Sequence, residues 1–237
     1  MTDNGPSTLS GQQSRPTDER TVRPRTRARL TALTVSLAIA GTLAGNLPAA
    51  QAATGRPLAT HHGGGLQCRG EGVDTTAKIR YRTETLIKAP LSTIWKLQTD
   101  VERWPSWQKP VTSVKRLDPG PLRKHSRFRW TTPVPATPVS PPTTLVITST
   151  VRQLQHHTCI RWTGPAIGEG LRIDRGVHVW TFTKVRGGVL VRTEETHAGD
   201  QIETDVPLAT HFLGKGLEAW LRDLKTTAEA RTQSRRR

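Results

Sequence analysis

Two ionisable side chains, His178 and Glu195, are the candidates for acid–base chemistry in this chain of 237 residues. Each lies in a segment that alternates like a β-strand, and each shares the parity of the apolar residues around it. On adjacent strands the imidazole and the carboxylate would meet on the buried face and act as acid and base on a carbonyl substrate. The alternative is structural: Glu195 pairs with an arginine such as Arg192, or lies at the open end of the sheet.

Other catalytic signatures are missing from the sequence. It contains no Ser/His/Asp order, no phosphate-binding glycine loop, no G-x-G-x-x-G and no C-x-x-C. The adjacent His61 and His62 lack further ligands at a suitable spacing, so no metal site is predicted. The residues therefore do not require an enzyme, and no cofactor is predicted.

The first organised stretch indicates a strand followed by two short helices. Residues 79–87 alternate apolar and polar side chains, which predicts a strand, and Pro90 ends it because proline has no N–H for the ladder. Apolar residues at helical spacing predict a helix over 91–99. Asp100 is the predicted N-cap of a second short helix over 101–104.

Six further strands and one long helix are predicted downstream. The strands are assigned where apolar residues occupy every second position, at 111–117, 123–132, 143–154, 158–163, 171–185 and 189–196. The proline-rich residues 133–142 and the residues 164–170 are predicted loops. From Pro207, after Asp205, leucine and tryptophan recur at steps of three and four as far as Ala228, which predicts an amphipathic helix.

This order of elements, together with three segments, resembles the SRPBCC superfamily (START-like, Bet v 1-like), which includes polyketide cyclase/dehydrase and lipid-transport proteins. The segments are LIKAPLSTIW and DVERWPSW at the first strand and the two helices, and LEAWLRDLKTTAEA in the last helix. The resemblance covers about 79–231.

The resemblance implies an α+β helix-grip fold, with a curved antiparallel sheet of seven strands around the long C-terminal helix and two short helices after the first strand. A strongly curved sheet leaves space that the helix does not fill, so a cavity is expected between them. Trp104 and Trp107 are expected near its mouth. The expected lining residues are Trp104, Trp107, Phe128, Trp130, Ile147, Trp162, His178, Trp180, Phe182, Val191, Thr193, Glu195, Phe212, Gly216 and Trp220.

The function implied by the resemblance is binding of a hydrophobic or amphipathic small molecule, such as a lipid or a polyketide-like compound. One alternative is an enzyme of the polyketide cyclase/aromatase type, and another is a basic surface that binds anionic lipid or cell-wall polymer. A closed apolar pocket without paired titratable groups would favour binding. Two such groups within hydrogen-bond reach would favour catalysis, and a filled core with basic residues on one face would favour the surface binder.

The N-terminal residues 1–52 are typical of a secretory signal, with a long polar and basic start, an apolar stretch and an A-x-A site. A secreted protein that begins near Ala53 is therefore predicted, and an uncleaved membrane anchor is the alternative. Residues 53–77 are predicted as a flexible linker, 78–231 as the ligand-binding domain, and 232–237 as a basic tail.

The only two cysteines, Cys68 and Cys159, are predicted to form a disulfide, because exported thiols oxidise. Cys159 has the opposite parity to Ile160 and Trp162, which places it on the outer, convex face of the sheet. The linker that carries Cys68 is free to reach that face. Two unrelated free thiols are the alternative.

The net charge of the chain is +16. Residues 78–231 hold 24 basic and 14 acidic groups, so the excess lies in the domain and not only at its ends. A basic surface favours anionic partners, and weak contact with an anionic membrane surface is one expectation. The alternative is a solvated arginine-rich surface. No nucleic-acid partner is predicted.

Overall fold

The structure is a computed structural model that describes residues 64–137 and 140–234. Its elements in chain order are β1 (Gln67–Cys68), β2 (Glu71–Gly72), β3 (Ile79–Ile87), α1 (Leu91–Thr99), a 3-10 helix (Val101–Ser106), β4 (Ser113–Arg116), β5 (Arg127–Val134), β6 (Thr143–Gln155), β7 (Cys159–Gly168), β8 (Leu171–Val185), β9 (Gly188–Ala198), a second 3-10 helix (Ile202–Asp205) and α2 (Val206–Ser234).

Seven strands form one antiparallel sheet in the order β3-β9-β8-β7-β6-β5-β4. Strands β4 to β9 follow one another as neighbours, and β3 closes the order by pairing with β9. Helix α2 packs on one side of the sheet, mainly against β3. We call the side that faces α2 the inner face and the opposite side the outer face. This architecture is the predicted helix-grip fold.

The two short helices follow β3 as predicted, with one difference at their junction. Pro90 stands directly before α1, where its missing N–H breaks no hydrogen bond. The second helix is a 3-10 helix that includes Pro105 and extends to Ser106. The predicted N-cap role of Asp100 is wrong: its side chain makes no cap hydrogen bond, and its backbone N–H instead donates to the carbonyl of Lys96 at 2.9 Å.

Strand β7 is longer than the sequence pattern predicts. Residues 164–168, expected in a loop, continue the strand. The pairing of β7 with β8 shifts register between Gly164 and Ala166. Such a bulge tolerates Pro165, which donates no ladder bond, and it interrupts the alternation on which the prediction depended.

Helix α2 begins at the predicted place. The Asp205 carboxylate accepts a hydrogen bond from the backbone N–H of Leu208 at 2.9 Å, which satisfies one free donor of the first turn. The predicted apolar stripe is buried, at Leu213, Leu217, Trp220, Leu221, Leu224 and Ala228. No helix in the described residues is both long and apolar enough to cross a membrane.

Residues 64–77 form a folded segment on the outer face, here called the N-terminal strap. Strands β1 and β2 pair as a small hairpin. Side chains of the strap are buried with residues of the sheet, in a cluster of Leu66, Cys68, Val73, Cys159, Val177 and Val179. The predicted Cys68–Cys159 disulfide is present, with 5.4 Å between the Cα atoms. The flexible linker is therefore a wrong prediction for this part of residues 53–77.

A second contact between the strap and the sheet is made by Glu194 of β9. Its carboxylate is fully buried and accepts a hydrogen bond from the backbone N–H of Leu66 at 2.5 Å. The guanidinium of Arg80 also donates to it and forms an ion pair. Gly65 lies against this carboxylate, and a Cβ there would stand 3.3 Å from Glu194 Oε2. A cation and a backbone donor thus compensate the buried charge.

Several predictions concern residues outside the described ranges. They are the signal region 1–52, the cleavage site near Ala53, the His61–His62 pair and the last three residues of the basic tail.

Candidate functional site

The inner face of the sheet carries an aromatic cluster made of Trp104, Phe128, Trp130, Trp162, Trp180 and Trp220. The ring of Trp104 lies at its centre, with centroid distances of 4.9 Å to Trp220, 5.4 Å to Phe128 and 5.9 Å to Trp162. The ring of Trp180 lies 5.9 Å from that of Trp220. Strand parity and helical spacing therefore assigned Phe128, Trp130, Trp162, Trp180 and Trp220 to the same face correctly, whereas Trp104 reaches them from the first 3-10 helix.

Side chains fill the end of the inner face that α1 and the first 3-10 helix cover. Trp104 was expected near a cavity mouth, but it has no exposed surface, so that placement is wrong. Cavities occur elsewhere on the domain. One of about 720 Å³ lies beside Pro133 and Pro142, and one of about 370 Å³ lies on the outer face near Arg161. Neither of these two cavities is lined by the aromatic cluster.

Next to the aromatic cluster lies a polar chain formed by Thr193, His178, Glu195 and His197. Strands β8 and β9 pair His178 with Glu195, which places the two side chains side by side. His178 Nδ1 lies 3.2 Å from Glu195 Oε2, and His178 Nε2 lies 2.6 Å from Thr193 Oγ1. His197 Nε2 lies 3.3 Å from Glu195 Oε1. The predicted proximity of the imidazole and the carboxylate is therefore confirmed.

Hydrogen bonds and an ion-pair contact alternate along the polar chain. His178 Nε2 and the hydroxyl of Thr193 share a hydrogen bond, whose direction depends on the tautomer of the imidazole. His178 Nδ1 and Glu195 Oε2 lie within ion-pair distance. His197 donates from Nε2 to the other oxygen of Glu195. The polar chain thus connects a buried hydroxyl to a carboxylate through one imidazole.

Burial and neighbouring charges set the protonation of the polar chain. Burial lowers the pKa of His178 to about 4, against the opposing effect of Glu195. Burial also acts to raise the pKa of the Glu195 carboxyl, but the imidazoles of His178 and His197 hold that pKa below its ordinary value. At neutral pH the site therefore contains a neutral His178 and an ionised Glu195. No metal-binding group of three or more His, Cys, Asp or Glu occurs among the described residues.

The polar chain lies between the aromatic cluster and a second apolar cluster. The buried members of that second cluster are Ile79, Leu145, Ala166, Ile173, Ile202, Leu213 and Leu217. The side chains of Glu195 and His197 keep 17% of their surface exposed. Gly176 faces them, and a Cβ at that position would stand 3.6 Å from both side chains. The carboxylate is thus reachable from solvent at one end of the polar chain.

Two helix residues expected in the site lie elsewhere. Gly216 is exposed, with no atom within 4 Å of its Cβ position. Phe212 is partly exposed and belongs to neither apolar cluster. Both directly precede members of the buried stripe, Leu213 and Leu217, and one helical residue is a rotation of about 100°. Their inward assignment is therefore wrong.

The remaining expected lining residues are on the inner face. Phe182, Val191 and Trp107 are buried in the cluster that contains the aromatic rings, and Ile147 is partly buried against the second apolar cluster. The proposed structural partner of Glu195, Arg192, instead pairs with Glu84 at 2.8 Å. His197 was missed because the predicted strand ended one residue before it, although it shares the parity of Glu195.

Two buried donors beside Trp220 have no acceptor among the described residues. They are Trp180 Nε1 and Gln98 Nε2. The other amide atom of Gln98, Oε1, accepts from Trp220 Nε1 at 3.2 Å. Buried donors are nearly always paired, so an acceptor from a water molecule or a ligand would suit this position.

A protein-family profile described as "Polyketide cyclase / dehydrase and lipid transport" matches residues 78–229. No curated protein matches the chain. The profile covers the sheet, both short helices and most of α2, so it includes every residue of the polar chain.

Solved structures similar to the chain include the START superfamily protein from Mycobacterium smegmatis, with a TM-score of 0.53 at 14% identity over 65% of this chain and 99% of that one. A protein from Thermus thermophilus has a TM-score of 0.50 at 19% identity, with coverage of 65% and 99%. A hypothetical protein from Helicobacter pylori has 0.51 at 14%, with coverage of 66% and 91%. At these identities the likeness concerns the fold.

Proposed function

The chain belongs to the polyketide cyclase/dehydrase and lipid-transport family of the START-like (SRPBCC) superfamily. From this premise we propose that its domain binds a hydrophobic or amphipathic small molecule, either a lipid or a polyketide-like compound. The observation that carries the proposal is the polar chain between two apolar clusters on the inner face. Ligand sites commonly combine apolar walls with a few convergent polar groups.

The chemistry of the ligand follows from the side chains at the accessible end of the polar chain. Ionised Glu195 accepts hydrogen bonds, so a hydroxyl of the ligand would bind there. Ile147 and Trp130, both partly buried on the inner face, would contact an apolar body. Export of the protein belongs to the same proposal, and the Cys68–Cys159 disulfide supports it because disulfides persist in oxidising compartments.

Binding can be tested on the oxidised full-length protein with the neutral apolar dye Nile red, because a neutral probe does not respond to the basic surface. Ile147→Asp places a charge on the inner face and should weaken dye binding at least tenfold. Val146→Asp is the matched control, since Val146 directly precedes Ile147 in β6 and is 40% exposed on the outer face. Equal effects of the two substitutions, or no dye binding by the unmodified protein, would refute the proposal.

The contact between Glu195 and His178 favours a second candidate, an enzyme of the cyclase/aromatase type. Ionised Glu195 could take a proton from the carbon between two carbonyl groups, which leaves an enolate, and later return it. Exchange of that proton for deuterium in acetylacetone, followed by NMR, measures this step. Glu195→Gln should abolish any exchange that the protein catalyses, whereas the exposed carboxylate change Glu84→Gln should leave it unchanged. Exchange no faster than in buffer would exclude this candidate.

A further inference from the structure

The cavity of about 370 Å³ on the outer face is lined by three arginines, Arg152, Arg161 and Arg175, together with Thr163, Gly164, Pro165 and Asp174. We propose that it binds a phosphate-type oxyanion. It lies on the opposite side of the sheet from the polar chain, so the proposal does not depend on the function proposed for the inner face.

Arg161 is the least exposed of the three arginines that line this cavity. Its side chain is only 14% exposed, and its Nε donates to the carbonyl of Gly72 at 2.8 Å. Its Nη1 lies 3.2 Å from a carboxylate oxygen of Glu71. Both partners belong to the N-terminal strap. The strap therefore holds one guanidinium in place before any anion arrives, which lowers the entropic cost of binding.

The other two arginines differ in how their charge is compensated. Arg175 forms an ion pair with Asp74 of the strap at 3.0 Å. Arg152 donates from Nε to Thr163 Oγ1 at 2.9 Å. Within the described part of the chain, no carboxylate lies within ion-pair distance of Arg152. One guanidinium at the cavity thus lacks an anionic partner, and its position beside Thr163 is set by a hydrogen bond.

The three positive charges also act on one another. Burial lowers the pKa of Arg161, and Arg175 and Arg152 push it in the same direction while Glu71 opposes them. A bound anion would relieve this repulsion. The guanidinium group matches phosphate because its N–H donors lie in a planar fork that binds two oxygens at once.

The acidic residue of the cavity does not compete for the free guanidinium. The carboxylate of Asp174 accepts from Arg172 Nε at 2.5 Å, so it already has a cationic partner. It would repel a second negative group on its side of the cavity. The site therefore favours one compact oxyanion over an extended polyanion.

The test is titration calorimetry of the oxidised full-length protein with inorganic phosphate at low ionic strength, with Arg152→Gln as the variant. Arg152 is exposed, so the fold should persist, and the loss of a charge-assisted contact should weaken binding about tenfold or more. Arg129→Gln is the matched control, because Arg129 is also exposed on the outer face and likewise lies near a threonine on the neighbouring strand, with Nε 3.5 Å from Thr148 Oγ1. It should change binding less than twofold.

A second experiment distinguishes free phosphate from a lipid headgroup as the bound oxyanion. Phosphatidylcholine vesicles with and without phosphatidylglycerol are mixed with the same three proteins. Binding to the phosphatidylglycerol vesicles alone, lost in Arg152→Gln and kept in Arg129→Gln, supports the site with a headgroup as the source of the oxyanion. No binding in either experiment, or equal loss in the two variants, overturns the proposal, since equal loss indicates general surface charge. Nile red binding should be unchanged in Arg152→Gln, which keeps this test separate from that of the inner face.

Discussion

His178 is an imidazole enclosed by indole rings, and this environment determines how it responds to protons. Its ring centroid lies 5.0 Å from that of Trp180 and 5.1 Å from that of Trp162. Only 3% of the side chain is exposed. An imidazolium in this position loses its hydration, so the neutral form is favoured even though a carboxylate lies beside it.

The first prediction follows from the depressed pKa of His178. A histidine in the unfolded chain titrates near 6.5, whereas His178 titrates at about 4 when folded. As the pH falls through this window the unfolded state binds the proton first, so the free energy of unfolding should decline by about 3 kcal/mol between pH 6.5 and 4. Urea denaturation of the wild type and of His178→Gln across this range should give a shallower pH dependence for the variant. Parallel curves would contradict the assignment.

The second prediction concerns the packing of the aromatic cluster. Trp180 is fully buried, so Trp180→Ala should lower the free energy of unfolding by about 3–5 kcal/mol, as expected when an aromatic core residue leaves a cavity. Trp130→Ala serves as the comparison, because Trp130 is only partly buried and should cost clearly less. A cost near zero for Trp180→Ala would show that its ring lines open space instead.

At the residue scale, parity was sufficient to predict which side chains face α2 and that His178 meets Glu195. It was not sufficient to predict that the rings under α1 fill their space. The volume left between a sheet and a helix depends on six tryptophan and phenylalanine side chains that converge from different elements. A local sequence pattern does not give the total volume of these side chains. The predicted position of Trp104 near a cavity mouth was wrong for this reason.

At the element scale, β9 contributes hydrogen-bonding side chains to both faces of the sheet. Thr193 and Glu195 point to the inner face, whereas Glu194 between them points to the strap and binds Leu66 and Arg80. Alternation along a strand makes this arrangement unavoidable, because successive side chains lie on opposite faces. Any displacement of the strap therefore acts on the same strand that carries the polar chain.

The third prediction addresses the covalent attachment of the strap. Cys68 and Cys159 are separated by 91 residues, and closing a loop of this length stabilises the folded chain by about 4 kcal/mol in the chain-entropy description. The double substitution Cys68→Ser and Cys159→Ser should lower the free energy of unfolding by a similar amount. Wild-type protein reduced with dithiothreitol is the control and should match the variant. A loss below about 1 kcal/mol would mean that the non-covalent contacts of Glu194 dominate.

The fourth prediction tests the start of α2. Asp205→Ala removes the acceptor for the N–H of Leu208 and should cost about 1 kcal/mol of stability, measured by thermal or urea unfolding. Asp200, exposed in the turn before the second 3-10 helix, provides the control, since Asp200→Ala should have almost no effect. Equal costs would argue against a capping role.

Helices and strands were predictable where proline, aspartate and regular alternation mark them, as at Pro90 and Pro207. Predictions failed where a contact distant in sequence decides the conformation. The bulge at Pro165 depends on pairing with β8, and residues 64–77 are held by sheet residues distant in sequence, such as Cys159 and Glu194.

At the scale of the whole molecule, the sheet separates two kinds of surface. The inner face combines aromatic rings with one polar chain, and the outer face carries the strap and arginines such as Arg129 and Arg152. The net charge of +16 includes these outer arginines. An anionic partner and an apolar ligand would therefore bind to different sides.

The fifth prediction concerns export, which would bring the cysteines into an oxidising compartment. N-terminal sequencing of protein from culture supernatant should find a mature chain that begins near Ala53. Recovery of the intact apolar stretch 30–47 in a membrane fraction would contradict cleavage and favour the anchored alternative.

The disulfide also determines what a protease can release. The proline-rich connection between β5 and β6 lies between Cys68 and Cys159, so a single cut there leaves both fragments joined through sulfur. Such a nicked molecule should migrate as one band on a non-reducing gel and as two after reduction. Outside a cell, where peptidases are abundant, the domain would survive one cleavage as a single covalent unit.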